Sequence, residues 1–185
     1  MNIFFTSDLH FGHDRKFLFK PRGFSSIEEH DETIIKNWNN VVTDDDVVYI
    51  IGDVIMGDQD AGIEKLKRLN GEKVIIRGNH DTDCKVMKYT DVVERKPLWA
   101  DIIRYYKYRF YLSHHPTITS NMEKGEPITR HLINLFGHTH SKDKFYMDMP
   151  FMYNVALDAH DCTPVCVEDV IKDITDKVSE CKKYL

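Results

Sequence analysis

Apolar and polar positions along this chain fall into blocks, and each apolar block stops abruptly. Residues 2–6 form a short apolar run ending at Ser7-Asp8, the pattern of a buried strand feeding a polar loop. Residues 47–51 are apolar throughout and stop at Gly52-Asp53, and residues 73–76 repeat the arrangement ahead of Arg77-Gly78-Asn79-His80-Asp81. Between the first two runs, Ile27, Ile34, Ile35 and Trp38 recur at helical spacing to about Asn39. They follow a Ser25-Ser26 start with Glu28 and Glu29 in the first turn, an N-cap signature. Ile63, Leu66 and Leu69 predict a second helix closing near Asn70-Gly71. The second half changes texture: Val92-Val93, 102–106 and 109–112 read as strands, with 106–108 as a tight connection. Residues 132–136 are a further apolar run before Gly137-His138-Thr139-His140; 152–155 read as a last strand and 168–182 as an amphipathic helix. Strand–helix alternation followed by strands predicts an α/β chain of two packed sheets with helices outside. No repeat, low-complexity stretch or linker interrupts it, so residues 1–185 read as one domain.

Composition narrows the function classes. A formal charge of -5 offers no bulk attraction to nucleic acid or an anionic membrane, so strong general nucleic-acid binding is not expected. The N-terminal apolar run is too short for a signal peptide or a membrane span, and a cytoplasmic location with no membrane partner is the expectation. Cys84, Cys162, Cys166 and Cys181 make no paired zinc spacing and read as free thiols. Ten histidines stand out, because imidazole is the commonest metal ligand and a usual proton-transfer group.

Those histidines gather where the apolar runs stop. Asp8-Leu9-His10, Gly52-Asp53, Gly78-Asn79-His80-Asp81, Ser113-His114-His115-Pro116 and Gly137-His138-Thr139-His140 each end a run. Ligands at the ends of neighbouring strands converge on one sheet edge, and the glycines let the chain turn sharply there. In extended backbone, residues i and i+2 project to one side, so Asp-x-His and His-x-His can grip one site or two adjacent sites. Mixed carboxylate and imidazole donors suit Mn, Fe or Zn better than Ca or Mg. Two such cations about 3.5–4 Å apart clamp an in-line displacement at phosphorus.

Taken in order, these motifs resemble the full motif set of the calcineurin-like metallophosphoesterases, running from Asp8 to His140. The resemblance implies a four-layer α/β/β/α sandwich of two mixed sheets flanked by helices, with a binuclear site at the strand ends. It implies that one divalent ion is held by Asp8, His10, Asp53 and His140. A second is held by Asp53, Asn79, His114 and His138, so Asp53 bridges. The ions are drawn from Mn, Fe, Zn or Ni, with manganese placed first. It further implies that a bridging water or hydroxide is the nucleophile and that His80 is the general acid for the leaving alkoxide. The expected reaction is hydrolysis of a small phosphodiester. A nucleotide or nucleic-acid phosphodiesterase is the alternative, and a non-catalytic scaffold, as in the retromer subunit similar to this family, the minor one.

Departures sharpen the expectation. The protein phosphatase branch carries Gly-Asp-x-x-Asp-Arg-Gly, whereas here Met56 stands at the acidic position and no arginine follows, which disfavours a phosphoprotein phosphatase. That leaves the partner of His80 open between Asp81 and Asp58. His115 occupies an aromatic position of the fourth motif and is expected to face substrate. Arg22, in the turn-like Lys20-Pro21-Arg22-Gly23-Phe24, is the first candidate for a substrate phosphate and Arg77 the second. His13 reads equally as a substrate contact or a packing group. His30, His131 and His160 read as structural or surface histidines. Residues 117–129 read as a loop beside His114, a lid or a plain connection.

Overall fold

The structure, a computed structural model, describes residues 1–119 and 126–180. In chain order its first half contains β1 (Ile3–Thr6), α1 (Lys16–Phe19), α2 (Ile27–Val41), β2 (Val47–Ile51), α3 (Gln59–Lys67), β3 (Glu72–Ile76) and α4 (Asp83–Tyr89). The second half contains β4 (Asp101–Tyr105), β5 (Tyr108–Leu112), β6 (Leu132–Phe136), β7 (Met152–Asn154), β8 (Val165–Cys166) and α5 (Val167–Glu180). Two four-stranded sheets result, ordered β3-β2-β1-β8 and β4-β5-β6-β7. Both are mixed: β8 runs antiparallel to β1, and β4 antiparallel to β5, among otherwise parallel neighbours. The two sheets flanked by helices agree with the sandwich expected from the sequence.

Burial on two faces explains why the first strands are apolar throughout rather than alternating. Phe4, Val48, Ile50 and Ile75 pack with Ile34, Trp38, Leu66, Val86 and Tyr89 from α2–α4. Their strand neighbours Phe5, Tyr49, Ile51, Val74 and Ile76 turn the other way, onto Phe110, Leu112, Ile133 and Leu135 of the second sheet. The Phe5 and Phe110 rings meet across the sheets at 6.0 Å. α5 adds Val167, Val170 and Ile174 to this inter-sheet core. No helix among the described residues is long and apolar enough to cross a membrane.

Local chemistry sets the element ends. Ser26 caps α2 by accepting from the Glu29 N–H, and Glu29 accepts in turn from the Ser25 N–H. The expected tight connection is the β4–β5 hairpin, with Tyr105 opposite Tyr108 and Tyr106 at φ 50°. Val92-Val93 is corrected: both N–H groups bond the Tyr89 carbonyl, closing α4, and the side chains pack on the helical side of the first sheet. The pair has no strand beside it, so its β-branched character finds no ladder. The short elements α4 and β8 were not expected, because α4 buries only Val86 and Tyr89 and β8 is two residues long. The expected end of the last helix at 181–182 and the middle of the 117–129 loop lie outside the described residues.

Candidate metal centre

Parallel strands with helical crossovers end at one edge, so β1, β2 and β3 deliver Asp8, Asp53 and Asn79 to neighbouring loops. From the second sheet β5 and β6 deliver His114 and His138, and within each sheet backbone bonds join the neighbouring loops. The Asp8 N–H bonds the Gly52 carbonyl at 3.0 Å and the Gly137 N–H the His114 carbonyl at 3.0 Å. The loops approach too closely for side chains at two motif glycines. A Cβ on Gly78 would lie 2.2 Å from Asp53 Oδ1, and one on Gly137 would lie 1.9 Å from Ser7 Oγ and 2.4 Å from Asp8 Oδ2. Asp8, His10, Asp53, His138 and His140 all have positive φ, between 49° and 69°. Non-glycine residues seldom accept that conformation, and its concentration on one constellation is how functional sites store strain.

Asp8 and Asp53 are each held at one carboxylate oxygen by a backbone N–H. The His138 N–H donates to Asp8 Oδ2 at 2.8 Å, leaving Asp8 Oδ1 buried and without a hydrogen-bond partner. That oxygen lies 3.6 Å from His10 Nε2 and 3.8 Å from His140 Nε2, and the two imidazole nitrogens are 3.2 Å apart. The His80 N–H donates to Asp53 Oδ1 at 2.9 Å. Asp53 Oδ2 then faces His114 Nε2 at 3.4 Å and His10 Nε2 at 3.7 Å. Asn79 Oδ1 lies 3.0 Å from His114 Nε2 and 3.0 Å from His138 Nδ1. The unpartnered Asp8 Oδ1 between two imidazole nitrogens fits a cation. Asp8, His10 and His140 form one cluster with cation-binding spacing, and Asp8, Asp53 and His114 another.

Two of the imidazoles are oriented from their far side as metal ligands require. His114 Nδ1 donates to the Ile51 carbonyl at 2.9 Å, and His140 Nδ1 to Asp158 Oδ2 at 3.0 Å, so both present Nε2 to the centre. Burial would raise the Asp53 carboxyl, but the His114 imidazole and the His80 N–H hold it below the ordinary carboxylate range. Burial would lower His114, yet Asp53 and Asp8 push it up to about 9. The site therefore concentrates negative charge that a bound cation can neutralise.

Two expectations are corrected by position. Arg22 does not reach a substrate phosphate: its side chain is 1% exposed and its guanidinium is occupied by interior groups. It donates to Asp158 at 3.0 and 2.7 Å, to the Asp8 carbonyl at 2.9 Å and to His30 Nε2 at 2.9 Å. Neither candidate orients the His80 ring. Asp81 is buried and accepts from the N–H groups of Asp53 and Gly78, each at 2.8 Å, and from Tyr89 Oη at 2.7 Å, pinning two motif loops together. Asp58 caps α3 by accepting from the Ala61 N–H. The His80 ring is half exposed, its Nε2 3.9 Å from Asp53 Oδ2.

The remaining residues sort by contact. His115 is exposed and its ring lies 4.3 Å from that of His138. Arg77 stacks on Trp99 at 4.0 Å and bonds Asp83. His30 is buried between Arg22 and Asp31, His160 bonds the Asn154 carbonyl and His131 stacks on Phe151, all structural positions. Cys84, Cys162 and Cys166 are free thiols, and Cys181 lies outside the described residues. A cleft of about 450 Å³ opens over the centre and is also lined by His13, Phe17, Leu18, Pro21 and Asp158. A larger groove of about 750 Å³ beside α5 contains none of the candidate ligands. Asp158 and the apolar cleft residues were missed. Asp158 lay in view within Leu157-Asp158-Ala159, but only the bridge between Ser7 and Ala156 brings that turn to His140.

Fold and site together define a protein that presents carboxylate, amide and imidazole donors for divalent cations at the strand ends of a two-sheet sandwich. The family model for calcineurin-like phosphoesterase matches residues 1–154, and the chain belongs to that family. It is 34% identical over 179 residues to the uncharacterized protein MJ1445 of Methanocaldococcus jannaschii, covering 92% of this chain and 89% of that protein. It is 30% identical over 198 residues to the Gene 66 protein of Mycobacterium phage D29, covering 94% and 97%. The fold is shared with the protein of unknown function AQ665 from Aquifex aeolicus, at a TM-score of 0.70 and 21% identity over 92% of this chain and 98% of that one.

Proposed function

We propose that this protein is a binuclear metal-dependent phosphoesterase that hydrolyses a small phosphodiester. The observation that carries the reading is Asp53 Oδ2, which faces His10 on one side and His114 on the other, beside the unpartnered buried Asp8 Oδ1. Asp8, His10, Asp53 and His140 would hold one divalent ion, and Asp53, Asn79, His114 and His138 the other. Manganese is the first candidate, with iron, zinc and nickel suited to the same donors. When bound, two such ions supply an activated water at neutral pH and neutralise charge on the phosphoryl oxygens. The chain's own part is to fix the donors through Asp158 and the Ile51 carbonyl, and to place His80 at the cleft. An imidazole there, half exposed and beside Asp53, is suited to deliver a proton to the leaving oxygen. Every expected ligand position keeps a donor side chain, which supports catalysis over a scaffold role.

Hydrolysis of a diester and a monoester aryl phosphate by metal-stripped protein tests this, with Mn, Zn, Fe, Ni or Mg added back. Turnover restored by a transition metal and stronger on the diester is expected. Silence with every metal, at two bound equivalents, overturns the enzymatic reading. His80→Ala is expected to lower kcat by about 10²–10⁴ on a diester with a poor leaving group, with metal content unchanged. Full activity of that variant on such a substrate removes His80 from the proton-transfer role.

A further inference from the structure

The cleft over the metal centre is not polar all round. Its outer wall comes from the segment after Asp8-x-His10, where His13, Phe17, Leu18 and Pro21 face the candidate ligands across the opening. Phe17 is 74% exposed. Single exposed apolar residues are ordinary on a protein surface. This one is set apart by what it continues: its ring meets His13 edge-on at 5.5 Å, and His13 lies 5.4 Å from His10. An aromatic file thus runs from a candidate metal ligand out to the rim.

Charge sets a second limit. The residues lining the cleft include no lysine or arginine. Arg22 lies behind the wall, engaged by Asp158, His30 and the Asp8 carbonyl. Apart from the metal centre no side chain lining the cleft clamps a second phosphate; Arg15, Lys16 and Lys20 of the same segment are exposed but lie outside the lining. An uncharged flat group gains apolar area and a face to stack on.

We propose that His13, Phe17, Leu18 and Pro21 form the subsite for a planar aromatic ring esterified to the phosphoryl group, the ring lying against Phe17. A nucleoside's base and a simple aryl ester share that chemistry. The inference rests on the phosphoesterase reading for the group anchored beside the ring.

Equilibrium binding to the metal-loaded protein, followed by calorimetry, tests it without needing turnover. The probes are inorganic phosphate, methyl phosphate, phenyl phosphate, ribose 5-phosphate and adenosine 5′-monophosphate. The expected result is about tenfold tighter binding of a ring-bearing ligand than of its ring-free counterpart, the scale of one base–aromatic stack. Phe17→Ala should erase that preference and leave inorganic phosphate affinity within about twofold, while Phe17→Trp should keep it. A preference confined to the adenosine pair assigns the ring to a nucleoside; one of equal size in both pairs assigns it to any flat ring. Equal binding with and without the ring, or a preference that survives Phe17→Ala, overturns the subsite. Turnover of an aryl diester without ring preference would leave the phosphoesterase reading standing and this inference refuted. Ring-selective binding with no ester hydrolysed would do the reverse.

Discussion

Asp53→Asn is expected to lower kcat/KM by at least about three orders of magnitude, roughly 4 kcal/mol of lost transition-state stabilisation. The side chain keeps its size, and its oxygen can still accept the His80 N–H, so the loop geometry survives. What changes is the atom facing His10 and His114: an amide nitrogen there offers no lone pair to a cation and brings a donor against two imidazoles. Metal content measured after equilibrium dialysis should fall below two equivalents in step with activity. Two equivalents bound with turnover within twofold of the parent would remove Asp53 from the bridging position.

The same variant carries a pH signature in the metal-free protein. His114 is raised from its ordinary value to about 9, against the effect of burial, by Asp53 and Asp8. A raised imidazole adds stability that is fully present below the unfolded pKa, about 6.5, and is lost as pH rises through the folded one. Metal-free wild type should therefore lose of order 3 kcal/mol between about pH 6.5 and 9. Asp53→Asn should show a shallower decline in denaturant titrations over that interval. Parallel curves for the two proteins would detach His114 from Asp53.

The second large effect is expected at a residue that touches no substrate. Arg22→Leu leaves Asp158, whose side chain is 8% exposed, with a buried charge and only His140 as partner. Asp158 is held below the ordinary carboxylate range, against the effect of burial, by His140 and Arg22, so it remains ionised. Stranding one member of a buried ion pair costs about 3–5 kcal/mol, which for a chain of this size lowers Tm by on the order of 10 °C. His140 loses a fixed orienting partner at the same time, and metal affinity should drop about 10–100-fold. Removing the charges together, as Arg22→Leu with Asp158→Leu, should recover part of the stability and none of the metal affinity. A single variant that melts within about 2 °C of the parent would show that the buried pair does not hold this corner of the fold.

These two predictions come from different depths of the chain. Asp53 was legible from residues 47–53 alone. A strand buried on both faces must be apolar throughout, and a glycine with a short acidic side chain at its end marks where the backbone turns to present a ligand. Asp8, His10, Asn79, His114, His138 and His140 stand in the same kind of strand-end cluster, and their assignment as ligands came with the family resemblance. The family resemblance rested on their order. Such features are short in range: strand length, turn chemistry and i, i+2 spacing are set by residues next to one another.

Arg22 and Asp81 are the opposite case. A guanidinium in a Pro-Arg-Gly turn suggests an exposed phosphate contact, and an aspartate after Asn-His suggests a partner for that histidine. The structure buries Arg22 against Asp158, 136 positions away, and turns Asp81 onto the backbone of Asp53, 28 positions away. Charged side chains take their roles from whichever groups share their desolvated surroundings. Those groups arrive only when β1, β2, β3 and the turn at Leu157–Ala159 are brought together. The sequence by itself determined which residues could bind metal and that they would meet at a sheet edge. The tertiary structure alone decided which charges hold those ligands in place and which side chains, Phe17 and His13 among them, wall the cleft they open into.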